Sequence, residues 1–539
     1  MEQGTREPCY TCRRRRIQCD RSQMPCAKCV KAGIECFDTR PLRWVKGIAI
    51  RGKMQGHSYD GHSAASPVAT IIHTSTKSEQ SLVKSSTRNL QPTVINFPFM
   101  VQHPSFSTMN RISKYYLDYC GSSLTEFFQK RERADERHPD NERICKLFIV
   151  YDSERNPFRN LIPLGFEDPV LLKAILTLAA RHHANSGQPF HQLEGTASPE
   201  FIKINHDALL FKHEAVKALS SALADTSSAK RDSIVASIFL LIFLDLLESG
   251  SSGWNFHLEG AKRLIAYTEP PESQNGINGG LGQTVQEIRT FMMKQIHLIE
   301  ILGATFLRPK LLSQPTPYNQ SDAEPPEAIE QSFLGCPGYL LSAIQRLSAR
   351  RDSIAGPEPL DDIAIQSHVR ETTAVIHQIQ AFDCYIWACS LKQPQPQSSS
   401  RQEIGNLCKL SQTYKTGALI YGGRILDALS QDTTPPSGQD GLVSESLGLI
   451  DALREDQDLF KCILWPIFVT GLECRWQAER EFLTGCLDKF WIATKCLNVI
   501  NAAEILQEYW QQEDSKPPGE NSSRWIFNIG RAGQDWLLI

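Results

Sequence analysis

The sequence predicts a mainly α protein with a small cysteine-rich module at 1–39, a flexible linker at 40–108 and a large all-α domain at 109–539. Three observations support this prediction. Six of the 16 cysteines lie between Cys9 and Cys36. Beyond residue 109, apolar residues recur at steps of three and four, as on one face of a helix. Breaks rich in Pro, Gly, Ser and Gln separate these periodic segments.

The six clustered cysteines form two copies of one spacing. Cys9, Cys12 and Cys19 read C-x2-C-x6-C, and Cys26, Cys29 and Cys36 repeat that spacing with a constant offset of 17 residues. Such an array is either a metal site or a disulfide framework. A chain of 539 residues does not need disulfides to be stable.

The N-terminal segment and the hydropathy favour metal over disulfides. Met1–Pro8 has no apolar stretch of the kind found in signal peptides. The longest mainly apolar run, Ile234–Leu244, is too short to cross a bilayer. We therefore expect a soluble intracellular protein without a membrane partner, where thiols stay reduced and clustered cysteines bind metal. The dispersed cysteines are expected to be structural.

Six thiolates cannot fill two separate four-coordinate sites. They can hold two tetrahedral Zn²⁺ ions if two cysteines bridge both ions. Because the spacing repeats, the bridges fall naturally on the first member of each half, Cys9 and Cys26. Two zinc ions are therefore the predicted cofactor.

The two halves differ outside the cysteines. Aligned by the offset, the first half has Arg13, Arg14, Arg15 and Arg16 where the second has Val30, Lys31, Ala32 and Gly33. The arginine run predicts that the first half contacts nucleic acid and the second half supports it. Ile17 aligns with Ile34, and the pair is expected to pack between two short helices.

The distribution of charge along the chain also indicates that the N-terminal module is the part that contacts nucleic acid. Residues 1–56 contain 13 Lys and Arg against 5 Asp and Glu, whereas the remainder contains 44 against 55. A basic head on an acidic body indicates that only the head meets a polyanion.

The segment CYTCRRRRIQCDRSQMPCAKCVKAGIEC resembles the fungal Zn2Cys6 binuclear cluster family, and every spacing lies inside that family's range. The resemblance implies one zinc held by Cys9, Cys12, Cys19 and Cys26, and the other by Cys26, Cys29, Cys36 and Cys9. It also implies recognition of a CGG triplet in the major groove of double-stranded DNA. Arg16 matches the main base-reading position, with Arg15 beside it. Gln18 departs from the usual lysine or arginine, which weakens one backbone contact.

The large domain resembles a second family, the fungal-specific transcription factor domain. The similar segments are ERNPFRNLIPLGFEDPVLLKAILTLAA (Glu154–Ala180), WNFHLEGAKRLI (Trp254–Ile265) and LWPIFVTGLECRWQAEREF (Leu464–Phe482). Roughly 10 to 15 helices are expected in this domain. The predicted spans are Ile112–Lys130, Pro169–Ala184, Ala208–Ala224, Ser233–Glu248, Val285–Leu307, Thr372–Leu391, Leu410–Leu429, Leu459–Phe482 and Ile492–Trp510.

No catalytic motif is found in the domain, so the protein is not expected to be an enzyme. Adjacent His182 and His183 point in different directions on a helix and are expected to be structural. The glycines of Gly276–Gly282 lack the Lys-Ser/Thr of a phosphate-binding loop. His257 is expected to be a hydrogen-bonded packing residue.

Together these features predict a nuclear, zinc-dependent, sequence-specific transcription factor that regulates RNA polymerase II transcription. The alternative is a partner-dependent co-regulator or repressor with weak intrinsic DNA specificity. Further partners would be transcription machinery or co-regulators, and a bundle of this size has room for a small-molecule effector. No heptads occur at 37–100, which favours monomeric binding or dimerisation through the large domain and leaves the oligomeric state open.

Overall fold

The structure is a computed structural model. It describes residues 8–20, 25–34, 36, 109–120, 144–153, 156–190, 199–224, 231–251, 253–267, 281–307, 329, 332–355, 361–391, 401–429, 439–516, 525–529 and 535–539. The chain divides into two units, Met1–Arg88 and Asn89–Ile539. The predicted linker at 40–108 lies outside the described residues.

The mainly α prediction is confirmed. The first unit contains α1 (Tyr10–Arg14) and α2 (Ala27–Lys31). The second unit begins with α3 (Arg111–Cys120), α4 (Ile144–Leu147), α5 (Pro157–Glu167), α6 (Pro169–Ser186), α7 (Pro199–Ala224), α8 (Arg231–Glu248), α9 (Trp254–Tyr267) and α10 (Leu281–Ala304). It continues with α11 (Gly338–Ile354), α12 (Asp362–Ala381), α13 (Cys384–Ser390), α14 (Arg401–Leu429) and α15 (Gln439–Leu453). The last helices are α16 (Gln457–Phe460), α17 (Leu464–Gly471), α18 (Gln477–Thr494), α19 (Leu497–Asp514) and α20 (Trp525–Asn528).

Helix α8 lies in the core of the second unit, as its mainly apolar sequence predicts. Phe239 and Phe243 on this helix are fully buried. The ring of Phe243 lies 4.2 Å from that of Phe148 and 5.0 Å from that of Phe333, measured between centroids. A helix that is apolar on all sides is stable only when neighbours cover every side, and α6, α9 and α10 pack against it.

Local sequence signals set the ends of several helices. Asp168 ends α5 and begins α6, where its carboxylate accepts the backbone N–H of Val170 at 2.8 Å. Pro169 occupies the first position of α6, where the missing N–H has no intrahelical acceptor to lose. Asn156 caps α5 in the same way by accepting from the N–H of Phe158.

Three predicted helices are broken in the structure. Ile492–Trp510 contains the end of α18 at Thr494 and the start of α19 at Leu497, with Lys495 between them in a left-handed conformation. Thr372–Leu391 divides into α12 and α13, because Asp383 caps a new helix by accepting from the N–H groups of Tyr385 and Ile386. Leu459–Phe482 divides among α16, α17 and α18. Pro466 stands in the first turn of α17, where proline is tolerated, and it could not have continued a preceding helix. Periodicity alone joined these segments because the apolar pattern runs through the breaks.

Hydrogen bonds join parts of the second unit that are far apart in sequence. The amide of Asn185 on α6 donates to the carbonyl of Lys495, 310 residues away, at 2.9 Å, and to that of Leu247 at 2.6 Å. The indole of Trp254 donates to the carbonyl of Asp535 at 3.1 Å. Segments far apart in the sequence are thus joined, and the buried residues from α3 to α20 form one hydrophobic core.

Among the described residues, no helix combines the length and the apolar character needed to span a bilayer.

Candidate metal centre and nucleic-acid interface

The first half of the cluster is a short helix with a cysteine at its start. Cys9 is the N-cap of α1, and its sulfur accepts the backbone N–H of Cys12 at 3.3 Å. This bond satisfies one of the donors that every helix leaves open at its N-terminus. It also holds the two sulfurs of the C-x2-C pair on one side of the helix.

The second half places its first two cysteines at the same helix positions. Cys26 is the N-cap of α2, and Cys29 lies one turn into the helix. Asp20, which follows the third cysteine of the first half, accepts the backbone N–H of Ala27 at 3.0 Å. The first half therefore helps to cap the helix of the second.

Both helices end in the same hydrogen-bonding pattern. In the first half the N–H of Arg16 donates to the carbonyl of Arg13, and that of Ile17 donates to Cys12. In the second half Gly33 donates to Val30, and Ile34 donates to Cys29. This pair of bonds is the Schellman motif, which requires a left-handed residue just past the helix.

Arg16 and Gly33 occupy that left-handed position, with φ of 55° and 63°. Glycine adopts this conformation freely, whereas a residue with a Cβ atom pays about 1–2 kcal/mol for it. Both residues have the left-handed conformation, but only the arginine backbone is strained by it.

The six sulfurs form one compact group. The Sγ atoms of Cys9, Cys12, Cys19 and Cys26 lie within 4.8 Å of one another, and so do those of Cys9, Cys26, Cys29 and Cys36. Cys9 and Cys26 belong to both sets, and their sulfurs are 3.8 Å apart. The sulfurs of Cys12 and Cys29, which belong to different sets, are also 3.8 Å apart, so the cysteines make a single site.

The distances fit zinc. A tetrahedral ion with Zn–S bonds near 2.3 Å separates its ligand sulfurs by about 3.8 Å. The separations of Cys9 from Cys26 and of Cys12 from Cys26 are 3.8 and 3.7 Å. Cys9, Cys12, Cys26 and Cys29 are buried. Burial raises the pKa of Cys12 to about 12, so a thiolate there needs a cation as its partner.

The residues predicted to bind DNA all lie on the surface. Arg13, Arg14, Arg15, Arg16 and Gln18 are exposed. The guanidinium of Arg13 lies 6.0 Å from the centre of the Tyr10 ring, within range of a cation–π contact. The aligned positions of the second half expose Val30 and only one lysine, Lys31, so the two halves present different chemistry.

One packing prediction is wrong. Ile17 and Ile34 were expected to pack between the short helices, yet 40% and 37% of their surfaces are exposed and neither packs against the cysteine cluster. The cysteine side chains form the centre of this small unit, and two five-residue helices leave little else to cover the isoleucines.

Three histidines of the second unit have side-chain hydrogen-bond partners. His182 is buried and its Nδ1 lies 2.8 Å from the hydroxyl of Tyr119, while His183 pairs with the hydroxyl of Tyr115 at 2.9 Å. His257 lies 2.8 Å from the carboxylate of Asp245. Across the residues that the structure describes, His, Cys, Asp and Glu side chains gather closely enough to hold a metal only in the cysteine cluster.

Comparison with known proteins identifies both units. Residues 7–44 match the fungal Zn(2)-Cys(6) binuclear cluster domain, and residues 141–539 match the fungal specific transcription factor domain. The chain therefore belongs to the fungal transcription factors that combine these two domains. Two zinc ions are its cofactor, and the class to which it belongs binds DNA and regulates transcription.

A curated relative has the same extent. The acriflavine sensitivity control protein acr-2 of Neurospora crassa is 23% identical over 607 aligned positions, which cover 98% of this chain and 96% of that protein. No solved structure matches this chain.

Proposed function

We propose that the protein is a nuclear regulator of RNA polymerase II transcription that reads CGG-type triplets in the major groove with the end of α1. The observation that carries this proposal is Arg16, an exposed arginine kept in a left-handed position where the aligned residue is Gly33. Folding alone favours glycine there. The strain is understandable if the guanidinium is needed for recognition.

The chemistry of arginine suits that role. A guanidinium can donate two hydrogen bonds at once to O6 and N7 of guanine, which no other base pair offers in the same geometry. We assign Arg16 and Arg15 to base contacts, and Arg13 and Arg14 to phosphates. Gln18 lies on the same exposed face and can contact the DNA backbone without contributing charge.

The zinc ions would be shared between the two sets of cysteines. We assign one ion to Cys9, Cys12, Cys19 and Cys26, and the other to Cys9, Cys26, Cys29 and Cys36, so that Cys9 and Cys26 bridge. Zinc supplies a rigid tetrahedral crosslink between the two halves. The formal charge of such a cluster is −2, and the adjacent arginines compensate for it.

The domain organisation follows from this proposal. Residues 1–39 form the DNA-binding module, 40–108 connect it, and 109–539 form the regulatory region, which performs no catalysis. The segment 40–108 begins with basic residues that add phosphate contacts, among them Arg43, Lys46, Arg51 and Lys53.

An unbiased selection of DNA sites tests the proposal. Zinc-loaded full-length protein and a fragment of residues 1–88 would be offered random duplexes under identical salt. We expect CGG to be enriched by both. If the folded, two-zinc fragment enriches no sequence, direct readout by α1 is ruled out.

A partner-dependent co-regulator is the second candidate. Gln18 favours it, because a neutral residue at that position removes one source of DNA affinity. For this candidate, the selection would enrich no site with the protein alone and a specific site only when a second factor is added.

The relative acr-2 suggests a biological setting. Its name assigns it control of sensitivity to acriflavine. Because the similarity extends over nearly all of both chains, we propose the same control for this protein. Deletion of its gene should change growth on acriflavine, and unchanged growth at every concentration would reject the assignment.

A further inference from the structure

Tyr10 lies in the first half of the cysteine cluster but is not part of its core. It is the first residue of α1, and its side chain is partly buried. Among the described residues, Cys36 packs against the buried cysteines of this unit and Tyr10 does not. Packing around the cysteines therefore does not account for the aromatic ring.

The ring of Tyr10 contacts Arg13. The two residues are three positions apart on α1, so their side chains lie on the same face of the helix. The Cζ atom of Arg13 lies 6.0 Å from the centre of the ring, at the outer limit of a cation–π contact. Arg14 is the next residue on the helix and is also exposed, but within the described part of the chain it has no such contact.

The second half of the cluster lacks both members of this pair. At the offset of 17 residues that relates the cysteines, Tyr10 aligns with Ala27 and Arg13 aligns with Val30. Both halves nevertheless form a helix of five residues that begins after a cysteine N-cap. Neither the ring nor the guanidinium is therefore needed to form the helix, and the pair belongs to the half that carries the arginines.

A guanidinium that lies against an aromatic ring can still bind an anion. Its N–H donors lie in the plane of the group and point outwards, whereas the ring covers only a face. An arginine that binds a phosphate loses rotamer freedom, and this loss lowers the affinity. A contact that already restricts the side chain in the free protein makes the loss smaller.

We propose that Tyr10 is a positioning residue for DNA binding, which restricts Arg13 so that its guanidinium is ready to bind a phosphate. The inference deepens the proposed function and rests on its assignment of Arg13 to phosphates. Because phosphates carry no sequence information, Tyr10 raises the affinity for all duplexes alike. The gain in affinity is about twofold to fivefold, as for other exposed cation–π contacts.

A double-mutant cycle on a duplex of random sequence tests whether Tyr10 acts through Arg13. The zinc-loaded full-length protein, Tyr10→Leu, Arg13→Ala and the double variant would be titrated at one salt concentration. Tyr10→Leu should weaken binding by about twofold to fivefold in the wild-type background. In the Arg13→Ala background it should have no further effect, because the residue through which it acts is gone. Arg14→Ala is the matched control background, in which Tyr10→Leu should keep its full effect.

A conservative variant separates the ring of Tyr10 from its hydroxyl group. Tyr10→Phe keeps the ring and should bind DNA as tightly as the wild-type protein. If Tyr10→Phe and Tyr10→Leu lose affinity equally, the hydroxyl group is the part that matters and the proposal is overturned.

Two further results would also overturn the proposal. An equal loss from Tyr10→Leu with Arg13 present and absent would show that the ring acts independently of Arg13. A Tyr10→Leu protein that binds fewer than two zinc ions in native mass spectrometry would show that the ring supports the fold instead.

The salt dependence of binding tests the phosphate contact itself. Arg13→Ala should reduce the slope of log K against log salt by about 0.9, the value for one phosphate contact. An unchanged slope would remove Arg13 from the phosphates and overturn the proposal. Because the duplex has a random sequence, a failure to select CGG would leave the double-mutant cycle valid. Additive losses in the cycle would reject the coupling and leave CGG recognition intact.

Discussion

The two halves of the zinc cluster share a backbone and differ in their surfaces. At the N-cap, φ and ψ are −57° and 149° for Cys9 and −68° and 150° for Cys26. At the C-cap they are −82° and 0° for Arg15 and −90° and −1° for Ala32. The cysteine spacing is thus sufficient to define the chain path, while the residues between the cysteines are free to differ.

Only the first half carries a strongly basic surface between its cysteines. The first half presents four consecutive arginines, and the second presents Val30, Lys31, Ala32 and Gly33. The comparison teaches that a residue suited to DNA recognition can lower the stability of the zinc-bound unit. Arg16 holds a left-handed conformation with strain, whereas Gly33 adopts it without strain.

Loss of a shared cysteine should have the largest effect on this comparison. Cys9→Ala removes a ligand from both proposed ions, so the unit should lose both zinc ions and unfold, since metal binding supplies much of its folding energy. Cys36→Ala removes a ligand from one ion only and should retain at least one zinc. Native mass spectrometry and far-UV circular dichroism would measure both. Two zinc ions bound to the Cys9 variant would refute the bridging assignment.

Loss of the strained arginine should come next. Arg16→Ala should cost about 1–3 kcal/mol on the selected site, roughly 5- to 150-fold in affinity, and flatten the base preference there. Lys31→Ala, in the second half, is the matched control and should change affinity little. Binding titrations on selected and scrambled duplexes separate the outcomes. An equal loss on both duplexes would make Arg16 a phosphate contact.

The strain at Arg16 can be measured by substituting the residues at the two left-handed positions. Arg16→Gly should stabilise the zinc-bound unit by about 0.5–1 kcal/mol net, because relief of the left-handed conformation exceeds the added freedom of the unfolded chain. Gly33→Ala should destabilise it by about 1 kcal/mol. A Cβ atom at Gly33 would meet nothing within 4 Å, so that effect is purely conformational. Chelator-induced unfolding reports both, and equal stabilities would contradict the strain.

The smallest effect is expected at Gln18. Gln18→Lys should raise affinity for all duplexes alike and steepen the dependence of log K on log salt by about 0.9, the value for one additional phosphate contact. Gln18→Ala should leave the slope unchanged. A gain confined to one sequence would instead place residue 18 near a base.

Much of this cluster could be predicted from the sequence. The constant offset between its cysteines already implies two similar backbones. Because Arg16 aligns with Gly33, and glycine commonly takes the left-handed conformation after a helix, the conformation of Arg16 could also be predicted. The exposure of Ile17 and Ile34 could not be predicted from apolar character, because sulfur atoms rather than aliphatic side chains form the core of so small a unit.

In the large domain, periodicity predicted helices better than it predicted their ends or partners. Asp383 is an N-cap residue and Pro466 lies in a first turn, so each marks the start of a new helix in the sequence. The apolar pattern nevertheless continues across both positions.

The hydrogen bond between Asn185 and Lys495 has a consequence for synthesis of the chain. These residues are 310 positions apart, and a ribosome adding roughly 5–20 residues per second needs about 15–60 s to cover that distance. During this interval α8 already has α6, α9 and α10 beside it but lacks α19, which also packs against it. The side of α8 that contacts α19 therefore stays uncovered for tens of seconds, which favours binding by chaperones that act at the ribosome.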